Sequence, residues 1–411
     1  MHEGPIAIEN ARIVTCAAPP GNGALRGGAM RALRTVARGH LVIEGGRIAS
    51  VGEGPVASRA TAMRIDARGR VVMPAAVDCH SHACWAGERW AEWDMKRAGA
   101  GYLDILQAGG GIMSTVRAVR QAPREALASL LAERLAEMRA VGTGAAEVKT
   151  GYGLDAETEL KMLEAILAVR AAWPAPVVPT LLLGHAVDGD NPRQLADMCA
   201  LLDRVAARVP GIAVDAYCET GAWDVGSCGT LLGHARDRGF AVRIHADQFN
   251  ALGGLQLAVG LGARSVDHLE ASTPEGLTAL AASGSIGVAL PACGFALDGR
   301  YADGRGLIDR GGAPAVASNW NPGSAPSPSV AFAAALAVRH MRLTAAEAIC
   351  AVTHNAACVL GLQGQTGRIE PGLRADLQVL PHRDERAFVH EVAGPGPDIS
   401  VLGGDLQVRV G

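Results

Sequence analysis

Residues 5–15 alternate between apolar and polar positions, and Leu41-Val-Ile-Glu-Gly-Gly-Arg-Ile-Ala-Ser-Val51 sets two β-rich runs around Gly45-Gly46. A period of two about a glycine turn predicts a hairpin. Arg64 to Met73 reads as another short strand pair, and Ala17 to Gly39, rich in Gly, Ala, Pro and Arg, reads as a loop or insertion. The pattern then changes. Pro123 opens a helix carrying Leu127, Leu130, Leu131, Leu135 and Met138 at helical spacing. Strand-like Ala145–Lys149 precedes a helix from Asp155 to Trp173, which Pro174 stops. The strands Val177–Leu183, Ile212–Tyr217, Ala241–His245, Arg264–His268 and Ser285–Leu290 alternate with helical stretches, among them Asn191–Val209, Ala251–Gly260 and Pro274–Ser283. Repeated β–α units predict a closed (β/α)8 TIM-like barrel rather than an open sheet. It is placed at residues 73–362. Gly367-Arg-Ile and Ala375–Leu380 return to short strands, so residues 1–72 and 363–411 are expected to form one small β-sandwich domain from both chain ends.

Composition narrows the function. A chain of 411 residues that is 49% hydrophobic buries a large core. A net charge of −3 offers no basic footprint for nucleic acid and no broad attraction to membranes. Nine cysteines without regular spacing argue against a disulfide scaffold. The opening Met1-His-Glu-Gly-Pro lacks a basic segment followed by an apolar one. The most apolar runs, such as Val330–Val338, are too short to span a bilayer. A cytoplasmic location is expected.

The chemistry lies in four histidines. Asp78-Cys-His80-Ser-His82 follows the apolar run Val71–Val77. If that run is a strand, His80 and His82 share a face at its end. His245 and His268 each end a strand-like stretch. An isolated H-x-H often does no more than cap a strand, and a lone His is commonly a core imidazole. Co-occurrence at strand ends is what points to a metal hydrolase, because barrel enzymes assemble their sites there. Cys79 and Cys84 flank the pair as possible soft ligands, but Cys79 falls on the opposite face, and both read as buried thiols.

Longer motifs carry a resemblance. Asp78-Cys-His-Ser-His82 with Arg89, Ala108-Gly-Gly-Gly-Ile-Met-Ser-Thr-Val-Arg117, Glu147 to Met162, Gly184-His185, Cys218-Glu219, His245-Ala-Asp-Gln248, Ser265-Val-Asp-His-Leu-Glu270 and Asn321-Pro-Gly-Ser324 are similar to those of the amidohydrolase superfamily, and within it to the imidazolonepropionases. The resemblance implies one divalent metal ion, zinc or iron, held by His80, His82 and His245. It implies substrate contacts from Arg89, Tyr152, His185, Gln248, Asn321, Gly323 and Ser324, with Gln248 also near the chemistry, and gives His268 the carbonyl or oxyanion. The implied partner is a small molecule with a carboxylate, and a homodimer is expected. The residue types agree. Arg89 offers a planar fork for a propionate, Tyr152 lies between two glycines, and His185 follows a seven-residue strand.

One position departs from the family pattern. Where the family has an aspartate that ligates the metal and shuttles protons, the run here is Ala317-Ser-Asn319-Trp-Asn321-Pro-Gly. An amide oxygen ligates weakly and cannot take a proton, and general-base help is worth about 10²–10⁴ in rate. Ring opening of an imidazolone-propionate is the leading expectation. Release of sulfide from a 2-thiohydantoin-propionate, as in ergothioneine breakdown, is the alternative. Its leaving group, hydrosulfide, is already a stable anion near neutral pH. A non-catalytic relative is a third reading, weighed down by the retention of all three ligand histidines.

Overall fold

The computed structural model describes residues 4–18, 23–56, 63–100, 104, 108–206, 208–209 and 211–409. Part of the expected 17–39 loop, residues 19–22, lies outside them. The N-terminal segment contributes β1 (Ile6–Val14), β2 (Thr35–Glu44), β3 (Arg47–Glu53), β4 (Met63–Asp66) and β5 (Val71–Pro74). The barrel strands follow: β6 (Ala76–Asp78), β7 (Thr143–Lys149), β8 (Val177–Gly184), β9 (Ala213–Cys218), β10 (Ala241–Ala246), β11 (Ser265–His268), β12 (Ile286–Ala289) and β13 (Pro314–Val316). The C-terminal segment adds β14 (Asp376–Val379), β15 (Ile399–Leu402) and β16 (Asp405–Val408).

Strands from both chain ends join in one sheet, ordered β16-β15-β14-β5-β1-β2-β3, with β4 also on β1. Ile8, Ile13, Leu41, Ile43, Val72, Leu377, Val379 and Val401 share its core. The link between the ends is the antiparallel β14–β5 pair, Leu377 opposite Pro74. The expected 64–73 pair is not a hairpin: β4 and β5 each run parallel to β1. Nor is Gly367–Ile369 a strand. The Ile369 N–H reaches the Thr15 carbonyl at 2.8 Å and no ladder follows.

The barrel strands run parallel in the order β6 to β13, with helices between them. The apolar run 71–77 proves to be two strands in two sheets, with the break at Ala75. Ala75 N–H bonds Asp376 O at 3.0 Å on the terminal sheet, and Ala76 N–H bonds Gly142 O at 3.0 Å toward the barrel. Alternation alone could not show this, because both halves are buried. β6 and β13 close the ring at its upper end without a regular ladder. Asp78 accepts from Ser318 N at 3.1 Å and Ser318 Oγ at 2.5 Å. Asn319 N donates to His80 O at 3.0 Å, and His82 N to Trp320 O at 2.9 Å. His80 and His82 therefore lie on an extended segment just past β6, latched to the segment just past β13. Among the described residues no helix is long and apolar enough to cross a membrane, and the nine cysteines are free.

Candidate active site and metal centre

The barrel interior is charged below the histidines. In β7, β9, β10 and β11, polar residues occupy alternate positions: Glu147 and Lys149, Asp215 and Tyr217, Arg243 and His245, Ser265 and Asp267. Period-two alternation turns each such pair toward the barrel axis. Lys149 Nζ lies 2.9 Å from Glu147 and 2.6 Å from Asp215. Arg243 pairs with Glu147 and, at 2.5 Å, with Asp267. Glu147, Asp215 and Asp267 thus share two cations, Lys149 and Arg243, beneath the imidazoles. A buried charged network of this kind is tolerated only when its members are paired.

Two of those carboxylates set the histidine tautomers. His80 Nδ1 donates to Asp267 at 2.6 Å and His245 Nδ1 to Asp215 at 3.2 Å. A carboxylate only accepts, so each neutral ring keeps its Nε2 lone pair. Both point at His82 Nε2, at 3.3 Å from His80 and 3.5 Å from His245. One ring proton cannot bridge both gaps. Burial first, and neighbouring positive groups second, hold His80 and His82 well below the ordinary imidazole pKa. Asp215 falls well below its usual range in spite of its burial, through His245 and Lys149. The donor set therefore fits a cation. Two nitrogens about 2.0–2.1 Å from an ion at a tetrahedral angle stand roughly 3.3 Å apart. His80, His82 and His245 form the metal-competent group among the described residues. Cys79 and Cys84 are fully buried outside it, and burial raises the Cys84 thiol to about 12.

Three buried glutamates hold the loops around this centre. Glu159 accepts from the N–H groups of Gly151, Gly153 and Leu154 at 2.7, 2.7 and 3.0 Å. Gly151 takes φ +107°, which an L side chain resists. Tyr152 is thereby set 6.0 Å from the His82 ring and 5.3 Å from His185. His185 donates from Nδ1 to Gly151 O at 2.8 Å and stacks on His82. Glu219 accepts from Phe249 N at 2.8 Å and Asn250 N at 3.1 Å, which fixes the loop carrying Gln248. Glu92 accepts from Gly111 N at 2.9 Å and pairs with Arg89 and Lys96.

The last contact changes the reading of Arg89. Its Nε and Nη2 are bound to Glu92 at 2.8 and 2.6 Å, so one edge of the fork is occupied. Nη1 packs so closely on Gly323 that a Cβ there would collide with it. Asn321 is engaged within its own turn. Its Oδ1 accepts from Gly323 N at 2.9 Å and Ser324 N at 2.8 Å, and its Nδ2 donates to Asn319 O at 2.6 Å. Its part is to shape the loop that presents Gly323 and Ser324.

His268 has φ +89°, Leu269 +77°, Asp247 +57° and Asn319 +55°. Strained backbone thus collects just past β10, β11 and β13, where it aims side chains at the centre. The His268 ring lies 5.4 Å from His245, with Nδ1 3.3 Å from Glu270. Gln248 Oε1 accepts from the Tyr217 hydroxyl at 2.7 Å, and its Nε2 meets Cys293 Sγ at 3.5 Å.

The sequence profile of the amidohydrolase family matches residues 94–393. The chain belongs to the amidohydrolase family. Within it, similarity to imidazolonepropionases covers nearly the whole length. The Chloroflexus aggregans imidazolonepropionase is 41% identical over 400 residues, 93% of each chain. The Deinococcus radiodurans imidazolonepropionase is 42% identical over 378 residues, 92% of this chain and 94% of that one. Among solved structures, Escherichia coli guanine deaminase superposes with a TM-score of 0.75 at 14% identity, covering 99% of each chain. That last likeness is one of fold.

Residue patterns alone left several members of this amidohydrolase site without a role. Asp215 and Asp267 orient two histidines of the metal-competent group, and Tyr217 lies 5.8 Å from the His245 ring. Lys149, Arg243 and Glu92 have no direct place at the centre. The available signal was a polar residue at every second position of otherwise apolar strands. Asp267→Asn should weaken metal binding about 10–100-fold, the usual effect of losing a ligand's orienting carboxylate. A zinc competition titration against a chromogenic chelator measures it, and an unchanged affinity would remove Asp267 from this role.

Proposed function

We propose that this amidohydrolase opens a five-membered imidazolone-type ring bearing a propionate. The observation that carries the reading is the set of three facing Nε2 atoms, together with an anion corner of Arg89 Nη1, Gly323 and Ser324 on the turn that Asn321 and Asn319 tie back to His80. The names of the relatives point to the same substrate. When bound, a divalent ion would supply Lewis acidity and acidify water. Three neutral imidazoles suit zinc and iron alike, and either is proposed here.

The chain's own residues do the rest. Arg89 holds the carboxylate through its free edge, with Tyr152 and Ser324 beside it. His185, whose Nδ1 is tied to Gly151, offers Nε2 to the ring. Glu270 orients His268 through Nδ1, leaving Nε2 to meet the carbonyl oxygen as negative charge grows on it. Water oxygen bonds to the ring carbon, the C–N bond breaks, and one water proton ends on the departing nitrogen.

Asn319 favours a second reading, release of sulfide from a 2-thiohydantoin-propionate. Water adds across the C=S bond, with its oxygen on carbon and one of its protons on sulfur; the C–S bond breaks, hydrosulfide leaves with the electron pair as a stable anion, and the remaining hydroxyl proton is released as the carbonyl forms. A panel of imidazolone-, hydantoin- and 2-thiohydantoin-propionate, with product identification, separates the two; inactivity on all three would favour the non-catalytic reading. Arg89→Lys keeps a charge but loses the planar edge, so KM for the preferred substrate should rise by about 10-fold or more with kcat little changed. If a substrate lacking the carboxylate binds as well as the parent, Arg89 has another role. The proposal includes a homodimer as the working unit, which would cover the exposed Trp90 and Trp93; sedimentation equilibrium tests it.

A further inference from the structure

At the N-terminal mouth of the barrel, opposite the histidines, lies a cavity of about 580 Å3. It opens where β10, β11 and β12 begin, at Ala241, Arg264 and Ser285. Its size falls within the usual range for small-molecule sites. Three arginines line it, Arg26, Arg236 and Arg264, and no described lining residue is acidic. In a chain of net charge −3 this is a local excess.

The three differ in how they are held. Arg26 donates to the carbonyls of Ala281 at 3.1 Å and Ser285 at 3.4 Å, which fixes the guanidinium without neutralising it. Arg236 pairs with Asp237 at 3.2 Å on the exposed rim, a contact of small worth. Arg264 is partly buried and has no side-chain hydrogen bond or ion pair with any described residue. Burial and the nearby Arg243 push its pKa down, against a smaller opposite pull from Glu147. A lining guanidinium without a hydrogen-bonding partner leaves its donors open to an anion. Gln363, on the same wall, has a buried Oε1 with no hydrogen-bond partner. Phe240, Val242, Val259, Leu261 and Ile286 supply apolar surface between these polar groups.

We propose that this cavity is a second small-molecule site, which takes an organic oxyanion, a phosphate or carboxylate head on an apolar body, with Arg264 and Arg26 on the head. The ligand is separate from the substrate. Arg264 immediately precedes β11, four residues and about 13 Å before His268 at the strand's other end, so the two sites are at opposite ends of the barrel.

Calorimetric titration of the metal-loaded chain with phenyl phosphate, benzoate and inorganic phosphate tests the proposal. One equivalent of phenyl phosphate or benzoate should bind more tightly than inorganic phosphate, and the tighter of the two names the head group. Arg264→Gln should weaken that binding about 10-fold or more, Arg264→Lys by less, and none of these should change metal content. Arg26→Gln is the second variant, should Arg264→Gln fold poorly. Absence of binding by all three anions overturns the site. So does binding that survives both glutamine variants, and so does binding lost in His80→Ala but kept in Arg264→Gln, which would place the anion at the metal centre.

Discussion

His80→Ala is expected to yield a folded barrel that surrenders its metal to a chelator, taking hydrolysis down by several orders of magnitude. His80 supplies one of three nitrogens, and its ring is the one tied to Asp267 at 2.6 Å. Loss of an orienting carboxylate alone costs about 10–100-fold in affinity, so loss of the ligand itself costs more. Without the ion, water keeps a pKa near 15.7 rather than about 7. Arg243 still neutralises Asp267 in the variant, which argues that the barrel survives. Metal analysis after dialysis, beside circular dichroism, reads both halves of the expectation. A variant that retains one ion per chain would show that the three facing nitrogens are not the binding site.

Asn319→Asp carries the next largest effect. The residue has φ +55°, a conformation that Asn and Asp both tolerate, so the exchange alters the side chain without refolding the turn. Its backbone N–H stays on His80 O. If the chain opens imidazolone rings as its named relatives do, the carboxylate should add a ligand and a proton acceptor and raise ring opening by about 10² or more. If its substrate loses sulfide, the gain should be small or negative, because a carboxylate on the metal lowers the net charge that acidifies water. The ratio of the two activities in both variants decides. A large rise in ring opening, with no sulfide release by the chain as it stands, supports the first reading. Robust sulfide release by Asn319, unimproved by Asp, supports the second.

Much of this protein was legible in its residues. Strand–helix alternation is enough to predict a parallel barrel, since each β–α unit needs a crossover and buries its strand on both faces. The glycine turns and short β runs at both ends give two antiparallel patches. The clustered histidines stand out because each follows a strand-like run, and strand ends are where a barrel displays chemistry.

Tertiary structure decided the rest, for reasons of distance and charge. The split at Ala75 is invisible in a uniformly apolar stretch; which sheet each half joins depends on partners some 300 residues away, Asp376 for one and Gly142 nearer by for the other. The tautomers of His80 and His245 are set by Asp267 and Asp215, residues 187 and 30 positions distant. Arg89 reads as a free fork in isolation, yet Glu92 occupies one edge of it and the other packs on Gly323. Composition and period report which side chains must leave water. They do not report which polar groups will meet once inside, and in this barrel those meetings set the protonation, aim and free valence of every residue at the centre.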